Sequence, residues 1–212
     1  TATEATDIAD YFAFGTSDIS GAGLDLTLAT DGAADSLNIH VGLDSAQTNA
    51  TAVKVDAVEI ETALINSVGK DGNTITDFEA DALTSLTVIG NKTLSVTLND
   101  SASQLATPAV GTIPLTTVDA SGFTGDSLTI TAVEADSGVT VTTGSEALSV
   151  TVGDGVNNIT GTAGDDEITT GEGADTIVAF AGDDEIVAGD GANTITVTDG
   201  ENDIDGGEAV DT

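Results

Sequence analysis

An all-β fold, specifically a parallel β-solenoid, is the class this sequence predicts, and three observations predict it. A nine-residue unit repeats in one unbroken register from residue 152 onward, and its copies alternate in type, which makes the structural period eighteen residues. The text before it is written in short alternating runs of Thr, Val, Leu, Ile and Ser. One nonapeptide alone buries almost nothing, whereas stacked copies share a continuous core, which is the logic of a solenoid.

Taken in order, residues 1–33 are the least legible, an N-terminal edge or linker. The stretch 6–12, Thr6 to Phe12, fits a short capped helix or another coil edge, and both readings stay open. Residues 34–151 form a Thr/Val-rich β-solenoid without a cation ladder. Its strands are expected at 36–41, 85–89, 93–98, 127–131, 139–142 and 148–152, from period-two alternation and β-branched content. Turns between them fall at Gly90 and Asn91, Asn99 and Asp100, Gly125 and Asp126, and Ser145 and Glu146.

From 152 to 212 the copies run 152–160, 161–169, 170–178, 179–187, 188–196 and 197–205, with a seventh cut short at 212. Glycine stands fourth in six of them: Gly155, Gly164, Gly173, Gly182, Gly191 and Gly200. Isoleucine stands eighth in the same six: Ile159, Ile168, Ile177, Ile186, Ile195 and Ile204. The glycines allow backbone angles that other residues resist, so the first part of each copy is a turn. A three-residue strand follows and sends its isoleucine inward. Pushing the frame back one copy puts Leu148 and Val150 at the sixth and eighth places, so the coil continues upstream with an apolar plug at the sixth.

The sixth place carries the functional signal: Asn157, Asp166, Asp175, Asp184, Asn193, Asn202 and Asp211. With two strands per coil, equivalent turns stack about 4.8 Å apart. Asn157, Asp175, Asn193 and Asp211 then run up one edge, and Asp166, Asp184 and Asn202 up the other. Two carboxylates about 5 Å apart repel by roughly 3 kcal/mol at an effective dielectric of about 20. From residue 152 there are sixteen acidic residues and no lysine or arginine, so the compensating charge must come from outside. The available ligands are carboxylates, amide oxygens and the carbonyls of the fourth-place glycines. That set suits calcium better than magnesium, which keeps its waters and demands octahedral geometry. Zinc and copper want His or Cys, absent from this tract. An ion bridging each pair of turns eighteen residues apart gives about five sites. A disordered acidic tail or a halophile's surface has no reason to hold isoleucine at every ninth position.

These residues resemble the RTX calcium-binding repeat, Gly-Gly-x-Gly-x-Asp-x-apolar-x, over about 152–212. The resemblance implies a parallel β-roll with calcium held by turn carbonyls and by the sixth-place side chains. The chain departs from the motif in three ways: most first-place glycines are lost, three sixth-place residues are Asn, and Ala209 replaces a fourth-place glycine. Upstream, the stretches 58–62, 81–88 and 115–122 are similar to the body of bacterial RTX surface-layer proteins. Membership of that group implies a secreted, self-assembling lattice protein at the cell surface, exported by a type I route, with calcium and other copies of itself as partners. The alternative is a calcium-rigidified stalk or adhesin segment of a large secreted RTX protein. As the sequence begins without methionine and stops inside a repeat, it reads as part of something longer.

Composition narrows the rest. A net charge of −34, with Lys54, Lys70 and Lys92 as the only cationic side chains, excludes nucleic acid as a natural partner and disfavours phosphate or uronate chemistry. There is no cysteine, hence no disulfide, and no run of eighteen apolar residues. The sole histidine, His40, alternates with Asn38 on a strand and reads as a solvated residue. A zinc-protease helix cannot be built from one histidine, and no Gly-x-Ser-x-Gly elbow occurs. Asp119 and Ser121 read as a surface turn, and Phe180 as a turn packing residue. No enzyme is expected.

Overall fold

A computed structural model describes residues 9–14, 24–25, 35–42, 51–52, 55–57, 59–100, 112–144 and 146–212. Upstream of the nonapeptides the strands are β1 (Ala9–Phe14), β2 (Leu24–Asp25), β3 (Ser36–Val41), β4 (Thr51–Ala52), β5 (Val55–Asp56), β6 (Thr62–Ser67), β7 (Asn73–Glu79), β8 (Ser85–Gly90), β9 (Leu94–Asn99), β10 (Thr117–Ala120), β11 (Ser127–Ala132), β12 (Thr140–Thr143) and β13 (Ala147–Val152). Within them lie β14 (Asn158–Thr160), β15 (Glu167–Thr169), β16 (Thr176–Ala181), β17 (Glu185–Val187), β18 (Thr194–Asp199) and β19 (Asp203–Asp205). No helix occurs among the described residues.

The chain alternates between two parallel sheets. One runs β1-β3-β6-β8-β10-β12-β14-β16-β18 and the other β19-β17-β15-β13-β11-β9-β7-β5-β2, with β4 beside β7. Each successive coil therefore adds one strand to each sheet, and the fold is an all-β parallel solenoid. Both sheets pass through residue 152 without interruption. In the upstream coils, where Ala9 lies opposite Ser36, Thr62 opposite Ser85 and Thr117 opposite Thr140, the length of chain per coil varies. From the pairs Thr140 with Asn158 and Ser149 with Glu167 onward it settles to one constant repeat. Constant coil length is what permits chemically equivalent turns to stack.

Alternation of faces explains the core. In β3, β9, β11 and β13 every second residue is buried. Within the roll, Ile159, Ile168, Ile177 and Ile186 have no solvent exposure, while Ile204 on the edge strand β19 is 42% exposed. The strand at 36–41 falls where sequence places it, and β8, β9, β11, β12 and β13 lie within one or two residues of expectation. Strands β6, β7 and β10 lie outside the strands that the sequence predicts. In the open stretch 6–12, the described residues belong to β1, so the coil-edge alternative holds there.

Two local readings need correction. Strands β16 and β18 have six residues instead of three, because the chain stays paired past the isoleucine. Phe180 is no turn filler: it stands in β16 at a register shift, 42% exposed, with φ of 66°. Two register shifts that cancel each other flank it, and the positive φ falls at this irregularity.

Candidate metal centre

Each nonapeptide sets its sixth residue where the glycine turn re-enters the sheet. Asn157, Asp166, Asp175, Asp184 and Asn193 are buried there, and Asn202 and Asp211 are half-buried. They form two ladders along the edges of the roll. On one edge the backbone N–H of Asn157 donates to Asp175 Oδ1 (2.7 Å), that of Asp175 to Asn193 Oδ1 (2.9 Å), and that of Asn193 to Asp211 Oδ1 (2.9 Å). On the other, Asp166 N–H donates to Asp184 Oδ1 (3.0 Å) and Asp184 N–H to Asn202 Oδ1 (2.9 Å). The ladders end on the backbones of Val139, which donates to Asn157 Oδ1, and Leu148, which donates to Asp166 Oδ1. Leu148 thus offers a main-chain donor at the place where its apolar side chain supplies no ligand.

The fourth-place glycines are needed because the stacked turns almost touch. A Cβ on Gly173 would overlap Gly155 O, on Gly191 it would overlap Gly173 O, on Gly182 Gly164 O, and on Gly200 Gly182 O. Gly164 itself is pressed against Glu146 O. Gly155, Gly173, Gly182, Gly191 and Gly200 also have positive φ. A larger residue would clash and be strained together, and the result of using glycine is a close column of carbonyl oxygens.

Most of the carboxylate oxygens in the ladders are served by protein donors, and the exceptions are informative. Asp166 Oδ1 accepts from Leu148 N–H and from the Thr162 hydroxyl (both 2.8 Å), and Oδ2 accepts from Thr162 N–H (2.7 Å). Burial raises the pKa of this carboxyl above its ordinary value; the bonds from Thr162 and Leu148 oppose that, and the nearby charge of Asp184 adds to it. In the copies of Asp175 and Asp184, the place of Thr162 is taken by Gly171 and Phe180, which carry no hydroxyl. Asp175 Oδ2 and Asp184 Oδ2 are buried with no hydrogen-bond partner. A buried carboxylate oxygen without a donor is costly unless a cation meets it.

A second, exposed set of acids escaped the sequence reading. Glu172 N–H donates to Asp154 Oδ1 and Glu208 N–H to Asp190 Oδ1, at third places. Asp183 N–H donates to Asp165 Oδ1 and Glu201 N–H to Asp183 Oδ1, at fifth places. These bonds run in the opposite sense to the buried ladder, and Asp136 begins the series by accepting from Asp154 N–H. The signal was present: the acid moves from third place to fifth between alternate copies.

The donor set therefore fits a hard cation. The buried sixth-place oxygens of Asp175 and Asp184 would hold it, aided by carbonyls of the fourth-place glycines. Among the described residues no three His, Cys, Asp or Glu side chains converge, so carbonyls must supply much of any coordination shell. The remaining polar candidates are ordinary. Asp119 Oδ1 accepts from the N–H (3.0 Å) and hydroxyl (2.6 Å) of Ser121, an exposed local turn that lowers the aspartate's pKa. His40 Nδ1 accepts from Asn66 Nδ2 at 3.1 Å on the neighbouring coil, and partial burial lowers its pKa.

The roll is a parallel β-solenoid whose stacked turns are lined by carbonyl and carboxylate oxygens. Residues 151–179 and 178–212 match the family model of the RTX calcium-binding nonapeptide repeat (4 copies). The C-terminal segment thus carries RTX repeats, a structural calcium-binding type and not an enzyme family. Comparison with curated proteins and with solved structures gave no match. No helix among the described residues is long and apolar enough to cross a membrane.

Proposed function

We propose that this chain is an extracellular calcium-binding structural segment, a region of a self-assembling surface layer in which calcium orders the roll and aids assembly. The observation that carries the reading is the pair of buried, unpartnered oxygens, Asp175 Oδ2 and Asp184 Oδ2, in a chain of net charge −34. Bound calcium supplies the positive charge and the flexible oxygen coordination that such a site lacks. The sixth-place side chains and the carbonyls of Gly155, Gly164, Gly173, Gly182, Gly191 and Gly200 are the proposed ligands, at up to about five positions between stacked turns. The division at residue 152, between a solenoid without calcium and a calcium roll, belongs to the same proposal. No catalytic role is part of it.

Sites of extracellular strength, with affinities around 10⁻⁴ to 10⁻³ M, fill outside a cell and stay empty in a cytosol. Folding and loading are then coupled, since ion-binding free energy becomes folding free energy. The second reading is a calcium-rigidified stalk or adhesin, favoured by the two uninterrupted sheets that give the described chain an unbranched path. Circular dichroism with light scattering during a calcium titration, with magnesium as control, separates the two. Rising β-signal followed by growing particles supports the surface layer, rising β-signal alone supports the stalk, and no response to calcium overturns both.

A further inference from the structure

Two of the buried sixth-place residues are asparagines, and their amide orientation is fixed. Asn157 Oδ1 accepts from Val139 N–H and Asn193 Oδ1 from Asp175 N–H, so each Nδ2 must point into its own turn. There Asn157 Nδ2 donates to Gly153 O (3.2 Å) and Gly155 O (3.4 Å). Asn193 Nδ2 lies within reach of Ala188 O (3.3 Å), Gly189 O (3.3 Å) and Gly206 O of the next coil (3.1 Å). Asn and Asp are isosteres. On the same ladder, the atom of Asp175 that corresponds to these nitrogens is Oδ2, buried with no partner.

One position in the stacked turn thus holds an NH₂ group facing carbonyl oxygens in two coils and a bare carboxylate oxygen in the coil between them. We infer that the carboxamides of Asn157 and Asn193 are resident stand-ins for calcium: they occupy turn carbonyls that an ion would use, so among the buried sixth-place residues the calcium requirement is confined to Asp175 and Asp184. Asp166 is outside it for a different reason, because Thr162 supplies its donors. The number of ions the roll needs is then about two, against about five from repeat spacing alone.

The same device recurs where no nonapeptide exists. Asn73, 2% exposed at the corner between β6 and β7, donates from Nδ2 to Ser67 Oγ (2.8 Å) and Val68 O (3.0 Å), and reaches Val41 O of the preceding coil (3.5 Å). Gly42 packs against that amide, leaving no room for a Cβ. An asparagine carboxamide turned onto main-chain carbonyls at a coil corner thus occurs upstream of the roll as well.

The inference concerns the same turns as the calcium reading and rests on it for the ion count, but its stability arm is independent. Native mass spectrometry and calcium calorimetry on the full chain would count bound ions, and urea unfolding in chelator would measure the ion-free state. Wild type should bind about two ions, Asn193→Asp one more and Asp175→Asn one fewer. In chelator, Asp175→Asn should unfold at higher urea than wild type and Asn193→Asp at lower urea, with calcium restoring the latter. Five ions in wild type with no gain in Asn193→Asp, or an Asp175→Asn protein no more stable in chelator than Asp175→Ala, would overturn the stand-in. If wild type binds no calcium and Asp175→Asn still stabilises, the stand-in survives and the calcium reading falls.

Discussion

At the scale of single residues, the two ladders predict unequal effects from chemically similar changes. Asp184 accepts the buried N–H of Asp166, and its second oxygen is unpartnered, so Asp184→Ala removes a bond and a proposed ligand together. Losing an acceptor for a buried donor costs about 1–3 kcal/mol, or roughly 5- to 150-fold in apparent calcium affinity. Asp203, exposed at a seventh place, lies in register with Glu185 and Glu167, so Asp203→Ala removes repulsion and should leave affinity unchanged. Equal losses in a calcium titration of the two variants would contradict the assigned phase. Gly191→Ala should cost about 2–4 kcal/mol in urea unfolding, since it combines φ of 138° with overlap of Gly173 O.

His40 gives a pH dependence with a definite sign. Its pKa is lowered by burial, and Asn66 Nδ2 donates to Nδ1, which favours the neutral ring. The folded state then binds fewer protons than the unfolded one, so this contribution is complete above the unfolded value near 6.5 and is lost as pH falls below it. His40→Asn should show a shallower loss of stability between about pH 6.5 and 5 than wild type, measured by urea midpoint in chelator.

At the scale of elements, each strand of the roll is too short to hold itself and depends on the coils on both sides. Ile168 and Ile186 are fully buried between neighbours, so Ile168→Ala or Ile186→Ala should cost about 2–4 kcal/mol. Ile204, 42% exposed on β19, should cost less than half of that. Sequence alternation located β3 without error because its six residues bury every second side chain. It missed β7, whose Asp77 and Phe78 break the alternation where the pairing with β9 slips between Ile75 and Phe78. It also shortened β16, because a local register shift has no signature in apolar period and Phe180 resembles a turn residue only when its pairing with Val197 is unknown.

At the scale of the whole molecule, acidity and architecture are one problem. A chain of net charge −34 repels itself, and stacking coils brings the acids of the roll into columns. Sodium lowers the repulsion at a distance without entering the turns, so raising sodium chloride in chelator should not reproduce the β-signal that calcium gives in circular dichroism. If it does, the requirement is for screening and not for coordination.

The sequence by itself determined the fold class, the coil length in the roll and the phase of the sixth-place column, because these are periodic: isoleucine at every ninth residue and glycine at every fourth place leave one register in which a core can close. Only the tertiary structure decided which members of that column still lack a partner. That property depends on neighbours eighteen residues away and on orientation, with Thr162 serving Asp166, the carboxamides of Asn157 and Asn193 turned onto carbonyls, and Asp175 and Asp184 left each with one buried oxygen. In the linear text these residues look interchangeable, and it is hydrogen-bond satisfaction in the stack that makes them different.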